Sequence, residues 1–311
     1  MVIPAYNCRA TLRRAINSVL AQDSVNFEVI VVDDGSRDGT NELVREICAQ
    51  NGRVKLVEHA VNMGPAAARN TGIEAARGEW VGLLDADDAW LPKRAKRLIA
   101  IARRRSVDIV ADNQWLFDPG AQSIVRKGFS MRPREVPFDV ELLLRNNVSG
   151  GCFIFGWLKP FISREFINRL ALRYDATLRY GEDFDFYVRM FACGARGVLA
   201  RDAYYIYTQR TGSATGTKSL YSRTEPDMKA LVTQSSKLLD QLRGTSSPRA
   251  MRLMRRQIRH LGGWPHALQV RKAIRERRYS SAFLITLRYP SAASAALLAL
   301  RTRLRQRIGL L

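Results

Sequence analysis

Short apolar runs and helix-period segments alternate along the first third of the chain. Val2-Ile3 reads as the end of a buried strand, although only Met1 precedes it. Strands usually run about five residues, so a true start upstream of Met1 is expected. The chain enters strand-like sequence at once, which speaks against a signal peptide. Leu12, Ala15, Ile16, Val19 and Leu20 then recur at helical spacing within residues 11–21. Residues 27–32 are apolar except for Glu28 and end in Asp33-Asp34-Gly35, the pattern of a largely buried strand and its turn. Residues 40–48 read as a helix with Thr40 as N-cap, 54–57 as a third strand, and 65–76 as an Ala-rich helix with Pro65 in its first turn. A fourth strand over 80–84 ends at Asp85, followed by a helix over 91–104 and a strand over 109–117. Repeated strand–helix units of this kind predict an α/β fold: a Rossmann-like, mostly parallel sheet with helices on both faces.

The rhythm then weakens. Residues 118–150 look irregular, and a second block over 152–207 holds a predicted helix (182–193) and a β-like run (198–207). After Ser213 the chain is helical, with a turn at Gly244-Thr245-Ser246-Ser247-Pro248. No internal repeat stands out.

In open α/β sheets, ligands bind beyond the carboxyl ends of the strands. Asn7, the pair Asp33 and Asp34, the pair Asn62 and Gly64, and then Asp85, Asp87 and Asp88 follow the first four predicted strands in turn. A single Asp after a strand is most often a helix cap; four polar strand ends in succession strain that explanation. Close carboxylates such as Asp85-Ala86-Asp87-Asp88 favour a compensating cation. A divalent ion on Asp87 can bridge two phosphates and neutralise a departing nucleoside diphosphate. Asp88 also suits the cap of the helix that follows. With only three histidines, and four cysteines lacking any Cys-x-x-Cys pair, a metal would be held by oxygen, which favours Mg2+ or Mn2+ over zinc. The same cysteine usage predicts reduced thiols and a cytoplasmic location.

The series Ile3-Pro-Ala-Tyr-Asn7, Val31-Val-Asp-Asp-Gly-Ser-Arg-Asp-Gly-Thr40, Asn62-Met-Gly-Pro-Ala-Ala-Ala-Arg-Asn-Thr-Gly72 and Leu84-Asp-Ala-Asp-Asp88 resembles the donor half of family 2 glycosyltransferases, inverting enzymes with a GT-A fold. The resemblance implies that Pro4 and Tyr6 flank the nucleotide and that Asp34 contacts the uracil or ribose in a turn shaped by Asp33 and Ser36. It implies Asn62 and Arg69 near base and phosphates, Asp85 near the ribose or sugar, and Asp87 as the metal ligand. Tyr180-Gly-Glu-Asp-Phe-Asp-Phe186 is similar to the family's acceptor motif, which makes Asp183 the catalytic base, with Glu182 beside it. Inverting transfer needs one carboxylate of this kind to deprotonate the attacking hydroxyl; alone, the same pair would suit a helix N-terminus. Arg210-Thr-Gly-Ser213 resembles the segment that closes over the donor, where Arg210 would pair with the diphosphate or serve as a surface turn residue. Trp157 and Lys159 fall on the acceptor side; Trp157 would stack on a sugar or pack in the core. The absence of Gln-x-x-Arg-Trp favours single addition over processive extension. The overall pattern is similar to bacterial transferases of the succinoglycan type, implying a UDP-sugar donor (glucose) and a lipid-linked oligosaccharide or polysaccharide acceptor. The implied division is a nucleotide-sugar-binding half over 1–118, an acceptor-binding half over 119–217 and a basic helical extension over 218–311.

Charge changes the picture in the extension. Lys218 to Leu311 hold 20 basic and 4 acidic residues, a net +16, whereas the first 217 residues hold 30 and 25, a net +5. Arg252, Arg255, Arg256 and Arg259 recur at helical spacing, and residues 291–300 form an apolar run too short for a bilayer, which needs about 20. An amphipathic segment attracted to anionic lipids at the inner face of the cell membrane is expected, against a merely solvated basic face. Two other classes compete with the transferase. A nucleic-acid-binding protein would use the same charge, but the tail lacks interleaved aromatics and the acidic strand ends repel phosphate. A nucleotidyltransferase would need a Gly-rich loop after the first strand, where Tyr6-Asn7-Cys8-Arg9 stands.

Overall fold

The computed structural model describes residues 1–23, 26–151, 153–178, 180–209 and 227–309. In chain order the elements are β1 (Val2–Ala5), α1 (Arg9–Leu20), β2 (Val29–Asp33), α2 (Thr40–Gln50), β3 (Val54–Glu58), α3 (Pro65–Ala75), β4 (Trp80–Gly82), β5 (Ala89–Trp90) and α4 (Arg94–Arg105). The second half adds β6 (Ile109–Asp118), β7 (Ser123–Lys127), β8 (Glu135–Pro137), α5 (Val140–Asn146), a 3-10 turn (Phe155–Trp157), β9 (Phe161–Ser163), α6 (Arg164–Arg169), α7 (Glu182–Ala192) and β10 (Gly197–Thr208). Four helices complete it: α8 (Met228–Gln241), α9 (Pro248–Arg275), α10 (Tyr279–Arg288) and α11 (Ser291–Ile308).

β1, β2 and β3 pair in parallel, as their helical crossovers require. A parallel bridge from Val2 to Leu83 joins them to the end of β4. The second sheet runs β4-β9-β6-β10-β5, with β7 on β6 and β8 on β10. There β6 and β10 are parallel, and the remaining pairs are antiparallel. The α/β expectation holds, with parallel pairing concentrated where strand and helix alternate. β2 is buried at every position, as its unbroken apolar run predicts for a strand covered on both faces. α1 buries Leu12, Ala15, Ile16 and Val19, the positions at helical spacing.

Several local expectations differ, the first at the N-cap of α2, which is Gly39 rather than Thr40. Residues 118–150 are not irregular but carry β7, β8 and α5; β7 is exposed throughout, so ladder hydrogen bonds rather than an apolar alternation define it. α4 starts at Arg94 rather than residue 91, because Ala89-Trp90 pair with β10 and the Leu91 amide donates to Tyr204 O at 2.8 Å. The fourth strand is Trp80–Gly82, ending two residues before the predicted end.

The helical extension shares a core with the second half. Leu238, Leu242, Ala250, Leu253 and Met254 lie in one apolar cluster with Phe138, Phe153 and Phe186. Near the end of α11, Gln306 accepts from Phe153 N at 3.0 Å and donates to Phe153 O at 2.6 Å. Among the described residues no single helix is long and apolar enough to cross a membrane; α10 and α11 meet at a bend of 103°.

Candidate active site

The first strand ends build a turn before they build a site. The Ser36 hydroxyl donates to Asp33 and accepts from the Asn7 amide, while Asn7 Oδ1 accepts from the Arg37 amide at 2.8 Å. Burial pushes the Asp33 carboxyl above its usual range, against the pull of Ser36. Asp34, also buried, accepts from the amides of Met63 and Gly64 at 2.9 and 2.8 Å and meets His59 Nδ1 at 2.7 Å. That carboxylate ties the loop after β3 to the end of β2. Gly64 there has φ +94°, a backbone that a side chain would strain. Tyr6 is 47% exposed, Pro4 is half-buried and Asn62 is exposed.

Arg69 is the point where residues from the first and second halves of the chain meet. It stands on α3, is 4% exposed, and donates to Glu182 at 2.8 Å and to Asp85 at 3.1 Å, with Asp183 at 3.7 Å. Its guanidinium lies over the Tyr174 ring, 5.5 Å from the centroid. Lys159, equally buried, donates to Asp183 Oδ2 at 2.6 Å and pairs with Asp85 Oδ2 at 3.0 Å. Burial alone would raise the Asp85 carboxyl, but Lys159 and Arg69 hold it down at about 2. Burial would likewise lower the Lys159 ammonium, yet Asp183 and Asp85 raise it above its usual value. Arg69 of α3 and Lys159 of the stretch before β9 thus knit three carboxylates, Asp85 after β4 and Glu182 and Asp183 at the start of α7. Asp183 Oδ1 is buried and finds no hydrogen-bond partner among the described residues.

Asp88 does not cap α4, whose N-cap is Lys93. It accepts from Tyr205 Oη at 2.6 Å and Thr208 N at 2.8 Å, pinning the turn after β4 to β10. Burial first, then Asp87 and Asp85, raise its carboxyl well above the usual range. Arg14 reaches from α1 to the Asp87 carbonyl and to Thr208 Oγ1 at 3.0 Å. Beneath the site, the fully buried Arg94 binds Asp112 at 2.8 Å and the Lys159 carbonyl at 2.5 Å, which sets the lysine's backbone. Burial raises Asp112 despite that partner.

Of the residues singled out from sequence, Arg69, Asp85, Glu182 and Asp183 form one contact network, and Asp34 and Ser36 organise the adjoining turns. Trp157 stacks on Tyr207 with ring planes 2° apart. Arg210 lies outside the described residues. Lys159, Arg14 and Tyr205 carry structural roles that the motifs did not announce; the one available signal was a lone lysine within the apolar stretch from Phe153 to Phe161. No three His, Cys, Asp or Glu side chains converge to hold a metal ion among the described residues. Magnesium is commonly held by one or two carboxylates plus substrate phosphates, a requirement the partly buried Asp87 fits.

Residues 1–159 match Glycosyl transferase family 2. The chain belongs to that family. This family 2 transferase is 38% identical over 213 residues to the succinoglycan biosynthesis protein ExoO of Rhizobium meliloti (strain 1021), covering 68% of this chain and 61% of that one. It is 33% identical to ExoU of the same organism, covering 95% of this chain and 84% of ExoU. S. aureus TarS 1-349 in complex with UDP-GlcNAc superposes with a TM-score of 0.67 at 16% identity, covering 99% of this chain and 91% of that chain. The mannosyltransferase PcManGT from Pyrobaculum calidifontis, in complex with GDP-Man and Mn2+, gives 0.55 at 20% identity, covering 97% and 86%. These likenesses establish a GT-A fold for the transferase.

Proposed function

We propose that this chain transfers glucose from UDP-glucose, with inversion and single addition, to a lipid-linked oligosaccharide or polysaccharide acceptor in exopolysaccharide synthesis. The names of ExoO and ExoU, both succinoglycan biosynthesis proteins, support the pathway class, and the UDP-sugar complex of TarS supports the donor class. The observation that carries the reading is the convergence of Asp85, Lys159, Arg69 and Asp183 beside Asp87, with Asp183 Oδ1 buried, 3.7 Å from Arg69 and without a hydrogen-bond partner among the described residues.

In this reading residues 1–118 bind the donor, 119–217 the acceptor, and 218–311 bring the enzyme to the inner face of the cell membrane. Tyr6, Pro4 and Asn62 flank the nucleotide, and the turn built by Asp34 and Ser36 fixes their spacing. Asp87 holds Mn2+ or Mg2+, which supplies neutralisation of the leaving diphosphate. Asp85 orients the donor sugar. Arg69 and Lys159 hold that carboxylate and Asp183 in one geometry, so donor and base are set relative to each other. Asp183 Oδ1 takes the proton of the acceptor hydroxyl as that oxygen attacks the anomeric carbon. Arg210 completes the donor side, Glu182 fixes Arg69, and Trp157 borders the acceptor.

The test is a screen of nucleotide sugars for manganese-dependent hydrolysis, followed by transfer to a lipid-linked acceptor. Asp87→Asn is expected to abolish metal-dependent turnover, and Asp183→Asn to lower transfer by about 100-fold or more while leaving donor binding intact. Near-normal transfer by Asp183→Asn removes it as the base.

A further inference from the structure

A cluster of like charges lies far along the chain from the carboxylate network. A cavity of about 250 Å3 opens between α9 and α11. Arg256 and Arg259 line it from α9, Arg301 and Arg305 from α11, with His260 and Ser294 beside them. None of these four arginines has an ion pair or side-chain hydrogen bond among the described residues, and Arg145 stands close enough to add to their repulsion. Burial lowers Arg256 from its usual value, and Arg305, Arg145 and Arg259 lower it further. Like charges held around a cavity destabilise the empty protein unless something anionic neutralises them. His260, 2% exposed, borders the same cavity and donates its Nε2–H to the Ser149 carbonyl at 3.1 Å.

The surroundings indicate where the anion comes from. On α11, Leu297, Leu300, Leu304 and Ile308 form one stripe and are each about half exposed, and Leu297 itself lines the cavity. On the neighbouring α10, Phe283, Leu284 and Leu287 are exposed by 61–64%. A soluble phosphate has no use for such an apolar border, whereas a lipid needs one for its acyl chains. Arginine's planar fork matches phosphate oxygens in pairs, and four forks around one space make a phosphate site rather than a diffuse basic surface.

We propose that the cavity between α9 and α11 binds the phosphate head group of an anionic membrane phospholipid, with the exposed leucines of α11 and the apolar residues of α10 set into the lipid interface. This deepens the membrane-surface part of the proposed function: it turns a general attraction into a defined site. It does not depend on which sugar is transferred.

The experiment measures co-sedimentation of the full chain with vesicles of phosphatidylglycerol in phosphatidylcholine and with phosphatidylcholine alone. Wild-type protein is expected to bind the first and not the second. The decisive variant is Arg301→Lys with Arg305→Lys, which keeps every charge and loses only the fork geometry. Its binding is expected to fall about tenfold, because a point charge replaces a paired hydrogen bond. Its nucleotide-sugar hydrolysis and thermal midpoint are expected to match the wild type, which shows that the chain is folded. Wild-type affinity in the lysine variant overturns the site and leaves the general membrane reading standing. Equal binding to both vesicle types, or no binding to either, overturns the site and the membrane reading together. Tight binding of inorganic pyrophosphate or RNA without vesicle binding overturns the lipid assignment.

Discussion

Lys159 sits 4% exposed between Asp85 and Asp183, so its removal takes one of two cations from a pair of carboxylates in a poorly solvated place. Breaking a buried pair from one side costs about 3–5 kcal/mol, and the partial exposure of Asp85 places this site at the lower end. Lys159→Met is therefore expected to destabilise the protein by about 3 kcal/mol in urea unfolding, and a loss below about 1 kcal/mol would contradict the network. The motif residues Asp85 and Asp183 were legible because they follow a strand and open a helix. Lys159 was not legible in that way, since nothing in Leu158-Lys159-Pro160 specifies which carboxylates it meets. Asp88 illustrates the same limit. Its place in the sequence suits a cap, but the folded chain brings Tyr205 and Thr208, far along the sequence, within bonding distance.

Helix α3 carries Arg69, and its seat on the sheet depends on Gly72. A Cβ at that position would stand 2.2 Å from Val2 Cγ1, on a strand that is buried and packed on both sides. Gly72→Ala is expected to cost about 1–3 kcal/mol by forcing α3 off β1. A melt unchanged from wild type would show that the helix has room to spare. Strands and helices with a clear period, such as β2 and α1, are readable from residues 1–118 alone because burial dictates their apolar positions. β7 and β5 escape that reading. One is wholly exposed and the other is two residues long, so their identity comes from the neighbouring strand.

At the scale of the whole molecule, the basic helices are part of the core and not an appendage, since Ala250, Leu253 and Met254 pack with Phe138 and Phe186. Removing everything after Thr245 would open that core as well as abolish any membrane contact, so point variants are the cleaner probe of the surface. His260 links this packing to pH. It meets the Ser149 carbonyl at 3.1 Å, and burial lowers its pKa from 6.5 to about 4. The folded state favours the neutral ring, so the stability it contributes is full above pH 6.5 and is lost as the pH falls from there towards about 4. The loss is expected to be no more than about 3 kcal/mol, and His260→Gln should flatten it in urea titrations across that interval. An unaltered pH profile in the variant would assign the acid loss elsewhere. The sequence by itself determined the α/β class, the family, the acidic and amide strand ends and the uneven charge, because periodicity, turn chemistry and motif spacing are local properties. Only the tertiary structure decided which carboxylates share Arg69 and Lys159, that Asp88 serves β10, and that four arginines from two helices face one cavity. Those are contacts between residues distant along the chain, and no local pattern encodes the partner.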